Sequence, residues 1–275
     1  MKHMHPEIRI ISCDLNGTLV HQHTMMDMIR VCFPHMPERY EMAKDIFSRQ
    51  TAGISSMKDA FEVAGPLTKG LSLRNAIEYA WSEMQFLKGF EAFISDIYKA
   101  EKYFVINSTG YSVTTEVIKS VYGPEKIHDV ICNRLIFGWE ADPARRISEH
   151  ELADLIRDYF FRKETGDIYD KILATGEVEL GIRDEKEKAR LIFEVAEKLG
   201  IPRTAIAHAG DTMGDSLGIC EVARNGGAGI AFNYNNALKN YLEGVIKNEK
   251  IPGKIILTVP KSETSDVRCL SDILL

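Results

Sequence analysis

Paired cysteine motifs are missing from this sequence. The 275 residues contain five cysteines, and no two of them are spaced as Cys-x-x-Cys. An odd count at wide spacing does not suggest a disulfide framework, and the missing pairs exclude a zinc ribbon or a thioredoxin-like motif. We therefore expect reduced, mostly buried thiols and a cytoplasmic protein. The cysteines are Cys13, Cys32, Cys132, Cys220 and Cys269.

Long apolar runs and an excess of basic residues are missing as well. No stretch of about 20 apolar residues occurs, so we expect no membrane span. The N-terminus lacks the apolar run of a secretory signal peptide. The formal net charge is −6 at pH 7, which argues against a nucleic-acid partner because such proteins usually carry a basic face. The histidines show no His-x-x-x-His or His-Glu-x-x-His spacing that would indicate a zinc site.

Short apolar runs that alternate with helical patterns are present instead. A helix is predicted from Asp184 to Leu199, where apolar residues recur at helical spacing. Strands that alternate with helices predict an α/β fold with a Rossmann-like parallel sheet covered on both faces. The predicted strands are Ile8–Cys13, Tyr103–Asn107, Thr204–Ala209, Ala228–Phe232 and Lys254–Val259.

Two longer segments interrupt this alternation. Residues 21–88 are mostly helical in pattern and rich in methionine and aromatic residues, which predicts an inserted helical cap. Residues from about 134 to 183 form a smaller insertion, with one amphipathic helix from Ser148 to Arg162 and some short extended pieces. The core domain is therefore assigned to residues 1–20 and 89–275, with the cap at 21–88.

Polar side chains stand at the ends of three predicted strands. Asp14, Ser108 and Asp211 each fall where an apolar run gives way to a glycine-containing turn. In open parallel sheets the ligand binds beyond the carboxyl ends of the strands. These three residues therefore predict a single shared site.

Four motifs occur in a fixed order around these positions. The hexapeptide that begins at Asp14 reads Asp-Leu-Asn-Gly-Thr-Leu, an apolar strand ends in Ser108-Thr109-Gly110, a lysine leads a helix, and Gly210 to Asp215 reads Gly-Asp-Thr-Met-Gly-Asp. With these motifs the sequence resembles the haloacid dehalogenase (HAD) superfamily, and within it the phosphoserine phosphatase-like branch. The similarity covers about residues 8–20, 85–137 and 184–247, and includes Asn133–Ile136 and Gly229–Asn233.

The resemblance implies a hydrolase that acts on phosphate monoesters with Mg²⁺. Asp14 would be the nucleophile that forms an aspartyl-phosphate, because Mg²⁺ and a lysine offset the negative charge of the ester. The lysine is either Lys186 or Lys188, and the spacing to the end of its helix favours Lys188. The resemblance assigns the metal to the Asp14 carboxylate, the main-chain carbonyl of Asn16, Asp211 and, through water or by holding the lysine, Asp215. The expected phosphate-binding groups are Ser108, Thr109, Gly110 and Lys188.

Asn16 departs from the family pattern. A second aspartate normally stands there and acts as general acid and then as general base. An amide cannot titrate, so proton transfer is lost, which typically lowers a rate by about 10²–10⁴-fold. We expect slow turnover with a trapped phosphoenzyme. The substitution is engineered, or the protein is naturally slow or uses a base from the cap, or it catalyses a related reaction.

Substrate recognition is assigned to the cap. His23 stands where the branch has a glutamate that reads the amine of the substrate, which argues against phosphoserine. Arg74 resembles the cap arginine that reads a carboxylate. The expected partner is a small phosphorylated metabolite, with no nucleic acid and no membrane. Two alternatives remain open, namely an impaired binding protein for phosphorylated metabolites and a phosphonate or carbon–halogen hydrolase on the same fold.

Overall fold

The computed structural model describes residues 8–51, 54–162 and 166–275. Within these ranges eight strands form one sheet in the order β4-β3-β2-β1-β6-β7-β8, with β5 also paired to β3. The strands are Ile10–Cys13 (β1), Tyr103–Tyr111 (β2), Asp129–Trp139 (β3), Asp142–Arg146 (β4), Ile172–Glu179 (β5), Ile206–Gly210 (β6), Ala228–Ala231 (β7) and Lys254–Leu257 (β8).

Eleven α-helices lie in the described ranges, and a π-helical turn at Tyr79–Glu83 extends the fourth. None of these helices combines the length and the apolar character needed to cross a membrane. The helices are Thr24–Cys32 (α1), Pro37–Thr51 (α2), Met57–Leu67 (α3), Leu73–Glu78 (α4), Phe90–Lys99 (α5), Ser112–Tyr122 (α6), Glu149–Phe161 (α7), Glu185–Lys198 (α8), Ser216–Arg224 (α9), Asn236–Asn248 (α10) and Ser271–Leu274 (α11).

The central strands are parallel and buried on both faces. β1 pairs in parallel with β2 on one side and β6 on the other, and all four of its residues are buried. Side chains of a strand alternate between the faces of its sheet. Ile11 accordingly packs in the cluster that contains α5, whereas Ile10 packs in the cluster that contains α8. The predicted α/β fold, a Rossmann-like sheet with an inserted helical segment, is confirmed.

The edge of the sheet formed by β3, β4 and β5 differs from the sequence prediction, because its strands do not all pair in parallel. β3 begins parallel to β2, with Asp129 opposite Val105, and then continues as an antiparallel partner of β5. The sheet is therefore mixed, and β3 and β5 are long strands where only short extended pieces were predicted. Asn133 and Arg134 interrupt the apolar run, and their side chains are satisfied by hydrogen bonds rather than by an apolar core.

Some predicted boundaries also differ. β1 starts at Ile10 rather than Ile8. A short 3₁₀ turn at Arg203–Ala205 stands where the strand Thr204–Ala209 was predicted to begin, and β6 starts at Ile206. The amphipathic helix of the second insertion is α7, and Ser148 caps it by accepting a hydrogen bond from the Glu151 N–H at 3.2 Å.

The two insertions share one hydrophobic cluster. α1 to α4 contribute side chains such as Met28, Phe47 and Phe61, and β3, α7 and β5 contribute others such as Phe137 and Ile156. The assignment of residues 21–88 alone to a cap domain stays a proposal, and this shared cluster favours counting both insertions as one covering unit.

Two helical glycines provide a matched test of this packing. A Cβ on Gly65 in α3 would lie 2.7 Å from the Gly176 carbonyl oxygen of β5, whereas a Cβ on Gly244 in α10 would have no atom within 4 Å. We expect Gly65→Ala to lower the free energy of unfolding by about 1–3 kcal/mol through overpacking. Gly244→Ala should raise it by about 0.5–1 kcal/mol because alanine is the better helix former. Urea unfolding of both variants measures this, and equal effects would contradict the packing described.

Candidate active site

Three buried carboxylates meet at the carboxyl edge of the sheet. Asp14 follows β1, and Asp211 and Asp215 follow β6, the strand next to it. One carboxylate oxygen from each lies within 4.8 Å of the others. The exposed fractions of the three residues are 5%, 3% and 1%. The prediction that the strand-end residues Asp14 and Asp211 share one site agrees with this geometry.

A buried lysine joins this acidic cluster. The Lys188 ammonium donates to Asp14 Oδ1 at 2.9 Å and to Asp215 Oδ1 at 2.5 Å, and Lys188 is 2% exposed. It stands in the first turns of α8, and Asn107 Nδ2 of β2 donates to its carbonyl oxygen at 2.9 Å. Lys186 is exposed. The structure therefore brings Lys188, and not Lys186, to the cluster.

The cluster holds more negative charge than one lysine offsets. Burial, followed by the charge of Asp215, raises the pKa of Asp14 to about 6, although Lys188 and a hydrogen bond from Ser108 lower it. Burial and the charges of Asp215 and Asp14 raise the pKa of Asp211 well above its usual range. Burial alone would lower the pKa of Lys188, but the two carboxylates outweigh it and raise that pKa. A divalent cation would relieve this excess charge.

The carboxylates differ in their free oxygens. Asp215 Oδ2 accepts the backbone N–H groups of Asp211 and Thr212 at 3.1 and 3.3 Å, and its Oδ1 accepts from Lys188. Both of its oxygens are thus engaged. Among the described residues, the Asp211 carboxylate accepts only a long hydrogen bond, from Thr18 Oγ1 at 3.4 Å. Mg²⁺ prefers oxygen ligands, so Asp14 and Asp211 fit direct ligation, and Asp215 fits a role in holding Lys188.

The loop after β1 is shaped to approach Asp211. Gly17 has φ +77°, and a Cβ there would lie 2.1 Å from Asp211 Oδ2. Only glycine satisfies both the backbone angle and this distance. Asn233 Nδ2 donates to the Gly17 carbonyl oxygen at 2.5 Å and so holds the loop in place.

Asn16 links this loop to the helical segment. Its Oδ1 accepts the backbone N–H of Thr24, the first residue of α1, at 2.8 Å. That N–H is one of the donors a helix start leaves unsatisfied, and the N-cap residue His23 makes no side-chain cap. A carboxylate oxygen at position 16 could accept the same bond. The amide therefore preserves the structural contact while removing a titratable group.

Ser108 ends the run of buried β2 residues next to β1, and it lies near enough to Asp14 to lower the pKa of that carboxyl. The Ser108 hydroxyl oxygen accepts the Gly110 N–H at 3.2 Å. Ser108 is buried, whereas Thr109 reaches the cavity above the cluster. Asn133 Nδ2 holds the Thr109 carbonyl oxygen at 3.0 Å. The predicted phosphate-binding segment is thus adjacent to Asp14.

A cavity of about 310 Å³ opens above these residues. The helical segment contributes side chains without formal charge, and the sheet edge contributes the charged ones. The lining residues are Asp14, Asn16, His23, Met26, Gln50, Thr51, Met57, Thr109, Lys188, Asp211, Thr212, Gly214, Asp215, Asn235 and Lys261.

His23 is uncharged at neutral pH in this wall. Burial lowers the pKa of His23 to about 4, and the charge of Lys261 adds to the effect. The ring lies against Phe47, with centroids 4.9 Å apart. Its Nδ1 is buried and has no hydrogen-bond partner within the described ranges. The expectation that His23 faces the substrate space agrees with its position.

Arg74 does not reach the cavity. Its Nε donates to Asp170 Oδ1 at 2.8 Å, and its Nη2 donates to the Gly166 carbonyl oxygen at 3.0 Å. Arg74 stands in the first turn of α4 and is directed at the short turn after α7, and it is not among the lining residues. The structure does not bring Arg74 to this cavity, and the expectation that it reads a substrate carboxylate stays a prediction.

The sequence reasoning missed Lys261. This residue lies in the loop after β8, which ends at Leu257, whereas Asp14 and Asp211 come directly after β1 and β6. The rule that selects polar residues beyond strand ends would have selected it, had it been applied to the last predicted strand. Asn233 was noticed only as part of a family-like segment, and its contact with Gly17 has no sequence signal because 216 residues separate the two.

The fold and the site show the features that the four motifs predict. These features are a mostly parallel sheet with a helical cover, an aspartate beyond its first strand and a lysine–aspartate cluster beside that aspartate. No protein-family model matches the chain. Over 247 residues the chain is 26% identical to the phosphoserine phosphatase of Archaeoglobus fulgidus, covering 90% of this chain and 59% of that relative. The chain thus spans less than two thirds of that relative's length.

Solved structures agree with this similarity. A phosphoserine phosphatase structure described as a phospho-aspartyl intermediate analogue superposes with a TM-score of 0.66 at 18% identity, covering 98% of this chain and all of the other. A HAD family hydrolase from Salmonella enterica serovar Typhi gives a TM-score of 0.62 at 17% identity, covering 86% and 66% of the two chains. At these identities the structures establish the fold. The resemblance to the HAD superfamily and its phosphoserine phosphatase-like branch is confirmed.

Gly17 and Gly70 form a matched pair for testing the site geometry. Both have positive φ, but a Cβ on Gly70 would have no atom within 4 Å. Alanine at either position should lower the free energy of unfolding by about 1–2 kcal/mol because of the left-handed backbone. Only Gly17→Ala should also displace Asp211 and weaken Mg²⁺ binding, by about tenfold or more. Urea unfolding and calorimetric Mg²⁺ titration measure the two effects, and equal Mg²⁺ affinity in both variants would contradict the geometry.

Proposed function

We propose that this chain is a Mg²⁺-dependent phosphohydrolase that uses Asp14 as nucleophile on a small phosphorylated metabolite. One observation carries the proposal: Asp14 sits at the floor of a cavity, 2.9 Å from the Lys188 ammonium and beside the Asp211 carboxylate. The similarity to phosphoserine phosphatases supports the reaction class. The cavity volume of about 310 Å³ suits a small ligand.

The reaction begins when an Asp14 oxygen attacks phosphorus. The bond between phosphorus and the ester oxygen breaks, the alcohol leaves and needs a proton, and an aspartyl-phosphate remains. Water then attacks that phosphorus, the bond between phosphorus and the Asp14 oxygen breaks, and inorganic phosphate leaves while a proton passes to the solvent and the Asp14 carboxylate is restored. Lys188 offsets the charge on the nucleophile and is held in place by Asp215. Mg²⁺, bound by Asp14, Asp211 and the main-chain oxygen of Asn16, would supply Lewis-acid neutralisation of the phosphoryl charge.

Phosphoryl oxygens would be held by Ser108, Thr109 and Gly110. In the structure the Ser108 hydroxyl oxygen accepts the Gly110 N–H, and its own O–H would donate to a phosphoryl oxygen. Thr109 is among the residues that line the cavity.

Asn16 should slow both halves of the reaction. It cannot give a proton to the leaving alcohol or accept one from the attacking water, and general acid–base catalysis typically contributes about 10²–10⁴-fold. His23 is the nearest uncharged base in the wall, but a pKa of about 4 makes it a poor proton acceptor near neutral pH. We therefore propose a slow phosphatase in which the aspartyl-phosphate accumulates.

Restoring a carboxylate at position 16 tests this proposal. Asn16→Asp should accelerate phosphate release by about 10²–10⁴-fold, since the new carboxylate can titrate and can still accept the Thr24 N–H. Phosphate release would be measured on a panel of phosphorylated metabolites and an aryl phosphate, with and without Mg²⁺. Asp14→Asn, made in the same background, is the control and should abolish release. If the unmodified protein is slow, an acid quench should trap phosphate on it and not on Asp14→Asn.

A second function is favoured by Asn16 itself. A chain that keeps the cavity but lacks the acid–base group could serve as a binding protein for phosphorylated metabolites. A stable Mg²⁺-dependent complex, with no release by either the protein or Asn16→Asp, would support binding over catalysis. A lysine imine that can be trapped by reduction would instead indicate phosphonate chemistry, and halide release without Mg²⁺ would indicate a dehalogenase.

A further inference from the structure

Charge is distributed unequally over the cavity wall. Lys188 is committed to Asp14 and Asp215. Lys261 is the second ammonium among the lining residues, and it is exposed. Its side chain forms no ion pair within 4.0 Å among residues 8–51, 54–162 and 166–275. Lys261 is therefore a cation that faces the substrate space without a committed partner.

Lys261 lines the same cavity as Asp14 and Asp211 of the acidic cluster and His23 of the helical wall. The cavity has a volume of about 310 Å³, so a ligand whose phosphate lies near Asp14 would share this space with the Lys261 side chain.

The backbone of Lys261 is tightly anchored although its side chain is free. Its N–H donates to the Tyr234 carbonyl oxygen at 2.9 Å. The next residue, Ser262, donates its N–H to Asn233 Oδ1 at 3.0 Å, and the amide of Asn233 also holds Gly17. Asn233 adopts φ +53°, which is uncommon for a residue with a Cβ. One amide in a strained conformation thus fixes the Lys261 loop to the nucleophile loop.

Lys188 and Lys261 are the two ammonium groups among the described residues that line the cavity. A divalent cation together with Lys188 would balance the three aspartates, so Lys261 is additional positive charge. On the helical side the described lining residues His23, Met26, Gln50, Thr51 and Met57 bring no carboxylate, and a substrate ammonium would find no partner among them. A second anion would find Lys261.

We propose that Lys261 is a specificity-determining residue that binds a second anionic group, a carboxylate or a phosphate, of the phosphorylated substrate. This inference rests on the proposed function and deepens it. The substrate class is then a phosphate monoester with another negative charge on its carbon skeleton. The ammonium would donate a charge-assisted hydrogen bond to that group.

Matched substrates separate this role from a general effect on phosphate. Phosphoglycolate and 2-hydroxyethyl phosphate have the same chain length, but only the first carries a carboxylate. The bisphosphate of propane-1,3-diol carries a second phosphate instead. Steady-state phosphate release from each probe would be measured for the protein, Lys261→Ala and Lys261→Arg. Lys247→Ala is the control, because Lys247 is exposed on α10 and is not among the lining residues.

We expect the unmodified protein to prefer a probe with the second anion. Lys261→Ala should lower kcat/KM for that probe by about tenfold, mainly through a higher KM, which is the usual scale for one hydrogen bond to a charged group. Release from 2-hydroxyethyl phosphate should stay unchanged, and Lys261→Arg should retain most of the preference. Whether phosphoglycolate or the bisphosphate shows the effect identifies which anion Lys261 binds.

Two results would overturn the inference while leaving the phosphatase intact. An equal loss on all probes would mean that Lys261 acts on the common phosphate or on the acidic cluster. Release that is insensitive to Lys261→Ala, with no preference for a second anion, would remove the role altogether. If the unmodified protein and Asn16→Asp release phosphate neither from these probes nor from the wider panel of phosphorylated metabolites and an aryl phosphate, the proposed function fails and this inference fails with it.

Discussion

The buried ammonium of Lys188, placed between Asp14 and Asp215, is the interaction on which the site depends. An ion pair in the interior loses its hydration, and it is tolerated only when its geometry and further hydrogen bonds are good. Here Asp215 binds the backbone of the loop after β6 with its other oxygen, and Asn107 fixes the backbone of Lys188. The elements β1, β2, α8 and the loop after β6 are thereby tied to one charged group. The excess negative charge left around it would attract a divalent cation.

The sheet topology explains why these groups meet. β1 lies between β2 and β6 in the sheet. In open α/β sheets the ligand binds in a crevice outside the carboxyl ends of such strands. The helical segment covers that crevice, and Asn16 joins the two by capping α1. The same loop therefore presents Asp14, contacts the helical wall through Asn16 and, through the contact of Gly17 with Asn233, is joined to the segment that carries Lys261.

Much of this arrangement is readable from the sequence, for physical reasons. Buried parallel strands are apolar throughout, so β1, β6 and β7 were evident, and the polar residues beyond them marked the site. The spacing along α8 favoured Lys188 over Lys186. The antiparallel extension of β3 was missed because Asn133 and Arg134 break its apolar pattern. The position of Arg74 away from the cavity could not be predicted, because a helix-surface arginine has no local signal for its partner and Asp170 is 96 residues away. Contacts such as that of Asn233 with Gly17 depend on tertiary packing alone.

The most direct test of the account is whether Mg²⁺ stabilises the chain through Asp211. Unfolding would be measured with and without Mg²⁺ for the protein and for Asp211→Asn. A ligand bound only by the folded state at about 100 times its Kd adds about 2.7 kcal/mol, so Mg²⁺ should raise the stability of the unmodified chain. When both are measured without Mg²⁺, Asp211→Asn should be more stable than the unmodified protein, because the substitution removes one charge from a crowded cluster. Added Mg²⁺ should not raise the stability of Asp211→Asn. An unmodified chain that does not respond to Mg²⁺, or an Asp211→Asn variant that still does, would contradict the account.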